Sequence, residues 1–531
     1  MSSGRVCNAA RCGAIPGARL ERLDGSGLAV ETVHSDAKGR FQLPGEGPVR
    51  ISAEGFTPKT LEAESALAHV RLLEKQLVGY LDRFWWEPGE DLPVYVHAPE
   101  SFSIKLYRHG KEREEMADFG SFDPQEQQVP DSPFVENGLD WKPATRVTIP
   151  PSARPGLYSL LLESGDEVFA LALVVSTPKH QQGKNRLLVL ASTNNWLSYN
   201  TYGGRSRYRN YEQEASRQYL PLNGLKNLVR RILPRTWYHA LESRYATQPW
   251  MLQKLSIKRP FPYCGLDEAD PGAPFANHLA GGEWRVIAWL EEQGLDYDMI
   301  AGYQLHRDPG MMEAYRAIIL STHCEYWSRE MYQGVMDWHG EKGGWILNLS
   351  GNSIYREVEY YDDGSHRCSS LYFEDSCADE SQLIGVRFSM VDYGTAAPYT
   401  VEDPRHWALA GLGVEAGTLF GTYTLNGHYT CDGDGWVHSR PGLKGGLRGE
   451  GASGWETDKL TETAPGDFHR IAKGLNPHGG ADMVIREASG TRGGVFSASS
   501  ISFGGSLLPD PVCSGIVRNV LNRCLDSESP G

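Results

Sequence analysis

Asn185-Arg-Leu-Leu-Val-Leu-Ala-Ser192 decides the fold. Its apolar residues run without polar alternation, the mark of a strand covered on both faces and so of a parallel sheet. Ala317-Ile-Ile-Leu-Ser321 and Gly344-Trp-Ile-Leu-Asn-Leu-Ser350 repeat the pattern downstream. Two helices are expected in this part of the chain. Gly282–Gln293 carries an apolar face of Trp284, Ile287 and Leu290 and stops at Gly294, and Ser328–Gly340 has Ser328 at its N-cap position. Strand, helix, strand, helix, strand implies a doubly wound parallel sheet, whose ligands lie beyond the carboxyl ends of the strands.

The sequence before this stretch reads differently. Residues 1–75 hold short alternating strands broken by Gly and Asp turns, as in Asp24-Gly-Ser-Gly and Ser35-Asp-Ala-Lys-Gly. Residues 76–180 alternate again in Leu92-Pro-Val-Tyr-Val-His-Ala and Ser103-Ile-Lys-Leu-Tyr-Arg, and end in the strong runs Gly156–Glu163 and Val168–Val175. Two β-sandwiches ahead of an α/β domain at 181–531 are therefore expected, the second of them immunoglobulin-like. The whole, 531 residues, suits two to four domains of roughly 100–200 residues.

Composition narrows the function. The 52 Lys and Arg against 67 Asp and Glu leave a net charge of −15, which argues against a nucleic-acid partner. No apolar run approaches the ~18 residues of a membrane span. Nine cysteines without a CxxC pair, and an amino terminus with no apolar signal core, suggest a reduced, cytoplasmic protein. A bridge between Cys368 and Cys377 is the one exception considered. Two sandwich modules and many aromatic residues suggest a homo-oligomer.

Three strand tips should converge at one crevice. They carry Thr193-Asn-Asn-Trp-Leu-Ser-Tyr-Asn-Thr-Tyr-Gly-Gly-Arg-Ser-Arg-Tyr208, Thr322-His-Cys-Glu-Tyr-Trp-Ser328 and Ser350-Gly-Asn-Ser353. The sequence has no GxSxG elbow, HExxH helix or P-loop. Cys324, at a strand-to-helix turn, is a candidate nucleophile with histidine as base. A metal reading uses Glu325 with tyrosine phenolates from Tyr199, Tyr202 or Tyr208. A phenol, with an ordinary pKa of about 10, ligates only a strong Lewis acid such as ferric iron. Two phenolates and one carboxylate would balance three positive charges.

Several strings resemble a known family. Ala191-Ser-Thr-Asn-Asn-Trp-Leu-Ser-Tyr-Asn200, Gly203-Gly-Arg-Ser-Arg-Tyr208, His323-Cys-Glu-Tyr-Trp-Ser328, Leu349-Ser-Gly-Asn-Ser353, Gly454-Trp-Glu-Thr-Asp458, Ala481-Asp-Met-Val-Ile485 and Gly493-Gly-Val-Phe-Ser497 resemble, in order, the carboxyl-terminal domain of the N,N-dimethylformamidase large (beta) subunit. The resemblance implies a core like the class I glutamine amidotransferases and an amide hydrolase with one iron held by two tyrosines and a glutamate. It assigns Glu325, Tyr199 and Tyr208 as ligands, with Tyr202 and Tyr263 in reserve, His323 near the substrate carbonyl and Glu456 as a base. Asn195, Trp196, Trp327 and Asn352 are expected to line the substrate pocket. A small accessory subunit is a further partner the family suggests. The first segment, through Pro16-Gly-Ala, Asp36…Gly39-Arg-Phe and Ala53-Glu-Gly-Phe, resembles the carboxypeptidase regulatory-like, transthyretin-like module. Two rival readings stand beside this one: a non-catalytic carbohydrate- or surface-binding protein with a degenerate site, and a Cys324-dependent hydrolase.

Overall fold

The computed structural model describes residues 2–62, 64–211, 249–262, 264, 266, 278–370, 372–426 and 450–526. The chain is mixed α/β with a β-rich amino-terminal part. In residues 2–72, a three-stranded and a four-stranded sheet close over one core of Val6, Leu20, Phe41, Ile51, Val70 and Leu72. The next segment repeats the arrangement with a three-stranded and a five-stranded sheet around Trp86, Val94, Ile104, Tyr158 and Leu173.

A nine-stranded sheet organises the rest. Its strands are β1 (Leu187–Ala191), β2 (Asp298–Ala301), β3 (Ala317–Thr322), β4 (Trp345–Ser350), β5 (Tyr399–Val401), β6 (Leu419–Phe420), β7 (His469–Gly474), β8 (Asp482–Arg486) and β9 (Val495–Ser497), in the order β2-β1-β3-β4-β9-β8-β7-β5-β6. The first five in that order run parallel. The other four run antiparallel to their neighbours. The expected parallel sheet is thus one half of a mixed sheet. The added strands are short or carry charge, as in His469-Arg-Ile-Ala-Lys-Gly474, so the buried-strand signal never marked them.

Alternation along β1 shows why that strand is apolar throughout. Leu187, Val189 and Ala191 face one core, with the helix Ala280–Glu292 (α2) and the carboxyl-terminal helix Pro511–Asp526. Leu188 and Leu190 face another, with Leu305 of the helix Gly302–Arg307 and with Met331, Val335 and Trp338 of the helix Arg329–Glu341. Residues of one strand point alternately to the two faces, and here helices cover both. The helix Arg329–Glu341 begins as expected, with Ser328 Oγ accepting from Met331 N–H at 3.3 Å. Cys368 and Cys377 are free thiols, so the suggested bridge does not form. Among the described residues no helix is long and apolar enough to cross a membrane.

Candidate active site

At the carboxyl end of β1 the chain turns into the short helix Thr193–Tyr199 (α1), and three polar side chains fasten it in place. Thr193 Oγ1 accepts from Gly302 N–H at 3.1 Å. Asn194 Nδ2 donates to the Tyr326 carbonyl at 2.9 Å. Asn195 Oδ1 accepts from the backbone N–H of Glu325 at 3.1 Å. The helix is thereby stapled to the segment after β3, and its last residue, Tyr199, lies beside His323.

The tips themselves are bent sharply. Thr322, Asn352, Ile354, Trp455 and Ser499 are five of the seven described non-glycine residues with positive φ, between 54° and 68°. Such conformations cost roughly 1–3 kcal/mol each, most for β-branched Thr and Ile, and cluster where surrounding bonds enforce them. Here Ile354 N–H donates to the Cys324 carbonyl at 3.0 Å, and Tyr355 N–H to the Glu325 carbonyl at 2.8 Å. Between the tips lies Gly351, where a Cβ would run into the Glu456 carbonyl and the Ile501 amide. The bends turn His323, Glu325, Asn352 and Glu456 inward.

The resulting cluster is buried and tightly bonded. Tyr199 Oη lies 3.0 Å from His323 Nε2. His323 Nδ1 lies 3.0 Å from the Gly351 carbonyl, which only accepts, so Nδ1 carries a proton; Nε2 accepts from Tyr199 when the ring is neutral and donates to the Glu325 carboxylate when it is charged. Glu325 Oε2 is 3.4 Å from His323 Nε2 and accepts a short hydrogen bond from the Tyr208 hydroxyl. The two tyrosine rings lie 4.3 Å apart. Glu456 Oε2 stands 3.8 Å from His323 Nε2 and accepts from Asn352 Nδ2 at 2.9 Å.

Burial drives both phenols well above their ordinary pKa, and the nearby Glu325 charge adds to it. Burial would also raise Glu325 and lower His323. Their mutual hydrogen bond, with Arg356 beside Glu325 and Glu456 beside His323, reverses both shifts: the carboxyl is held below its usual range and the imidazole above.

Four neighbours escaped the sequence reading. Tyr326 donates to the Tyr208 oxygen at 2.7 Å. Arg356 Nε donates to Glu325 Oε1 at 2.8 Å. His278 packs on Tyr199 at 4.5 Å and on Trp455 at 4.6 Å. Glu283 on α2, pushed up to about 8 by burial, accepts from Ser192 N–H at 3.1 Å and from Trp196 Nε1 at 2.7 Å. Only Tyr326 had a signal, its adjacency to Glu325; the others arrive from distant elements.

Trp196 and Trp327 are wholly buried in the cores on opposite faces of the sheet, their indole N–H groups spent on Glu283 and the Cys324 carbonyl. Both indoles pack within those cores. Tyr202, a reserve ligand, points into the second sandwich beside Phe134, and Tyr263 lies outside the described residues. The Cys324 thiol is 3% exposed, accepts from Trp327 Nε1 at 3.2 Å, and is pushed up to about 12 by burial. A nucleophilic cysteine needs an accessible, stabilised thiolate, and this environment provides neither. Cys324→Ala is expected to retain turnover within about threefold while costing about 1 kcal/mol of stability; kcat and thermal denaturation of the variant check this. Among the described residues no group of three or more His, Cys, Asp or Glu is arranged to hold a metal ion, so a cation at this cluster would depend on the tyrosine oxygens.

No functionally curated protein matches the chain. Among solved structures it is similar to alpha-2-macroglobulin of E. coli at 14% identity, over 33% of this chain and 12% of that one, with a TM-score of 0.12. A biofilm-associated protein's BSP domain follows at 10% identity, 30% and 25% coverage and a TM-score of 0.11. The four amino-terminal immunoglobulin domains of Dscam1 follow at 8% identity, 32% and 41% coverage and a TM-score of 0.14. The chain spans less than half the length of each of these, and at such TM-scores none bears on the site. A family model described as N,N-dimethylformamidase beta subunit-like, C-terminal, matches residues 103–426. The match takes in Tyr199, Tyr208, His323 and Glu325 and stops short of Glu456. Covering more than half of the sequence and the elements that carry most of the cluster, it establishes that this chain belongs to the N,N-dimethylformamidase beta subunit-like family.

Proposed function

We propose that the chain hydrolyses a small or N-substituted amide at the Tyr199–Tyr208–Glu325–His323 cluster, with a ferric ion held by the two phenol oxygens and the Glu325 carboxylate. One observation carries the reading: three hard oxygen donors from two strand tips meet around a single histidine, with Tyr208 bonded to Glu325 and Tyr199 3.0 Å from His323. The donor set fits the ion. Burial keeps these phenols protonated in the absence of a cation, so only a strong Lewis acid would ionise them, and two phenolates with one carboxylate balance a trivalent charge. When bound, such an ion polarises an amide carbonyl and acidifies water.

The chain's own residues supply the rest. The Gly351 carbonyl fixes the His323 tautomer and leaves Nε2 facing Tyr199, Glu325 and Glu456. From there His323 takes the proton released as the water oxygen bonds to the amide carbon. Glu456, oriented by Asn352, relays a proton to the departing nitrogen, since an amine leaves only when protonated. The C–N bond breaks, giving a carboxylic acid and an amine. Arg356 and Tyr326 hold Glu325 and Tyr208 in register.

The test is metal analysis and an assay of amine release from N,N-dimethylformamide and a panel of small amides. One iron per chain, a visible phenolate charge-transfer band and amine release are expected. A protein that takes up no iron and cleaves none of the amides overturns the reading.

A further inference from the structure

The segment joining the two tyrosines is held by a part of the molecule far away in sequence. Gly203 and Gly204 stand between Tyr199 and Tyr208, and both donate backbone N–H to the Ala10 carbonyl, at 2.8 and 3.1 Å. The Gly203 carbonyl accepts from Arg71 Nη1 at 2.9 Å and from Cys12 Sγ at 3.4 Å. All three partners belong to the amino-terminal sandwich. Arg71 sits on the strand His69–Leu72, paired in parallel register with Ser2–Asn8 so that Cys7 lies opposite it. The same guanidinium stacks 5.0 Å above the Phe134 ring of the second sandwich.

The seat leaves no slack. Gly203 and Gly204 have φ of 93° and 86°, a region that favours glycine. A Cβ on Gly204 would run into Cys12 Sγ, and one on Gly203 into Val135 and Phe134. Beyond it the segment folds back: Arg207 N–H donates to the Ser198 carbonyl at 2.9 Å, bringing Tyr208 alongside Tyr199.

We infer that the amino-terminal sandwich is a working part of the catalytic centre, with Arg71 a positioning residue that clamps Gly203 and so sets how Tyr208 faces Tyr199 and Glu325. The inference rests on the proposed role of the two tyrosines. Arg71 touches neither the reacting atoms nor the oxygen donors; it acts through the backbone it bonds.

The experiment compares the full chain with Arg71→Ala, Arg71→Lys and Gly204→Ala. Amide hydrogen exchange of residues 199–211 is read first, because it requires no metal and no substrate. About tenfold faster exchange is expected in Arg71→Ala and Gly204→Ala, confined to this segment and its contact with residues 8–12, with β1 and β3 unchanged. Arg71→Lys, which keeps a donor and the stacked cation, should recover most of the protection. With N,N-dimethylformamide, kcat of Arg71→Ala should fall about tenfold at nearly constant KM, and the iron–phenolate band should shift. Unchanged exchange at 199–211 in both variants overturns the clamp, as does faster exchange with wild-type kcat and band. If the wild-type chain neither binds iron nor cleaves amides, the proposed chemistry fails, whereas the exchange data still decide whether the sandwich holds the segment.

Discussion

Glu325→Gln is expected to lower kcat/KM by roughly 10³-fold or more, the scale of losing a main electrostatic group from a preorganised site. Glutamine keeps the shape but has a single acceptor oxygen, so it serves either Tyr208 or Arg356 and not both, and the loss reports the charge together with one of those bonds. Bound iron and the visible band should fall with it, and Tyr199→Phe should repeat the loss. A Glu325→Gln enzyme with wild-type turnover and iron content would contradict the assignment.

The same pair makes a stability prediction for the metal-free chain, and its sign follows from the two shifts. Glu325 is lowered from 4.5 on folding, so its contribution is present above that value and is lost as pH falls through the folded pKa. His323 is raised from 6.5, so its contribution is present below that value and is lost as pH rises through the folded pKa. Both contributions are in force between 4.5 and 6.5. The melting-temperature gap between wild type and Glu325→Ala should therefore be widest there and narrow on either side. Truncating one partner of a buried ion pair costs about 3–5 kcal/mol, enough to see by thermal denaturation. A gap independent of pH would mean that the pair is not charged.

His323→Asn should have the second large effect, lowering kcat by about 10²–10⁴-fold, the contribution of a positioned proton-transfer group. Asparagine retains a donor for the Gly351 carbonyl but no base at the Nε2 position, so the tip after β3 should remain folded. The acid limb of the pH–rate profile should vanish with the imidazole. Iron content near the wild-type level would separate this loss from that of Glu325→Gln, because His323 is assigned to move protons and not to hold the ion. Kinetics across pH with parallel metal analysis check both points.

Much of the candidate site was legible because strands of a two-sided sheet announce themselves. An apolar run ends where the chain leaves the cores, and the residues just past Thr322 and Ser350 were therefore readable as tip residues. Tyr199 and Glu325 could be named on this ground together with the family strings. The orientation of Trp196 and Trp327 could not be read, since an indole at a strand tip looks the same in sequence whether it turns toward a crevice or into a core. Arg356, His278 and Glu283 were invisible for a different reason: no local pattern tells which distant carboxylate or ring a side chain will meet.

What the sequence alone determined are the quantities set by local periodicity and burial on two faces: strands β1, β3 and β4, the capped helix after Ser328, and the row His323-Cys-Glu-Tyr at a strand end. Only the tertiary structure decided that Tyr208 bonds Glu325, that four antiparallel strands extend the sheet, and that Ala10 and Arg71 grip the turn between the two tyrosines. Those contacts join residues tens to more than a hundred positions apart. Their geometry depends on how whole layers pack, which no short window of sequence encodes.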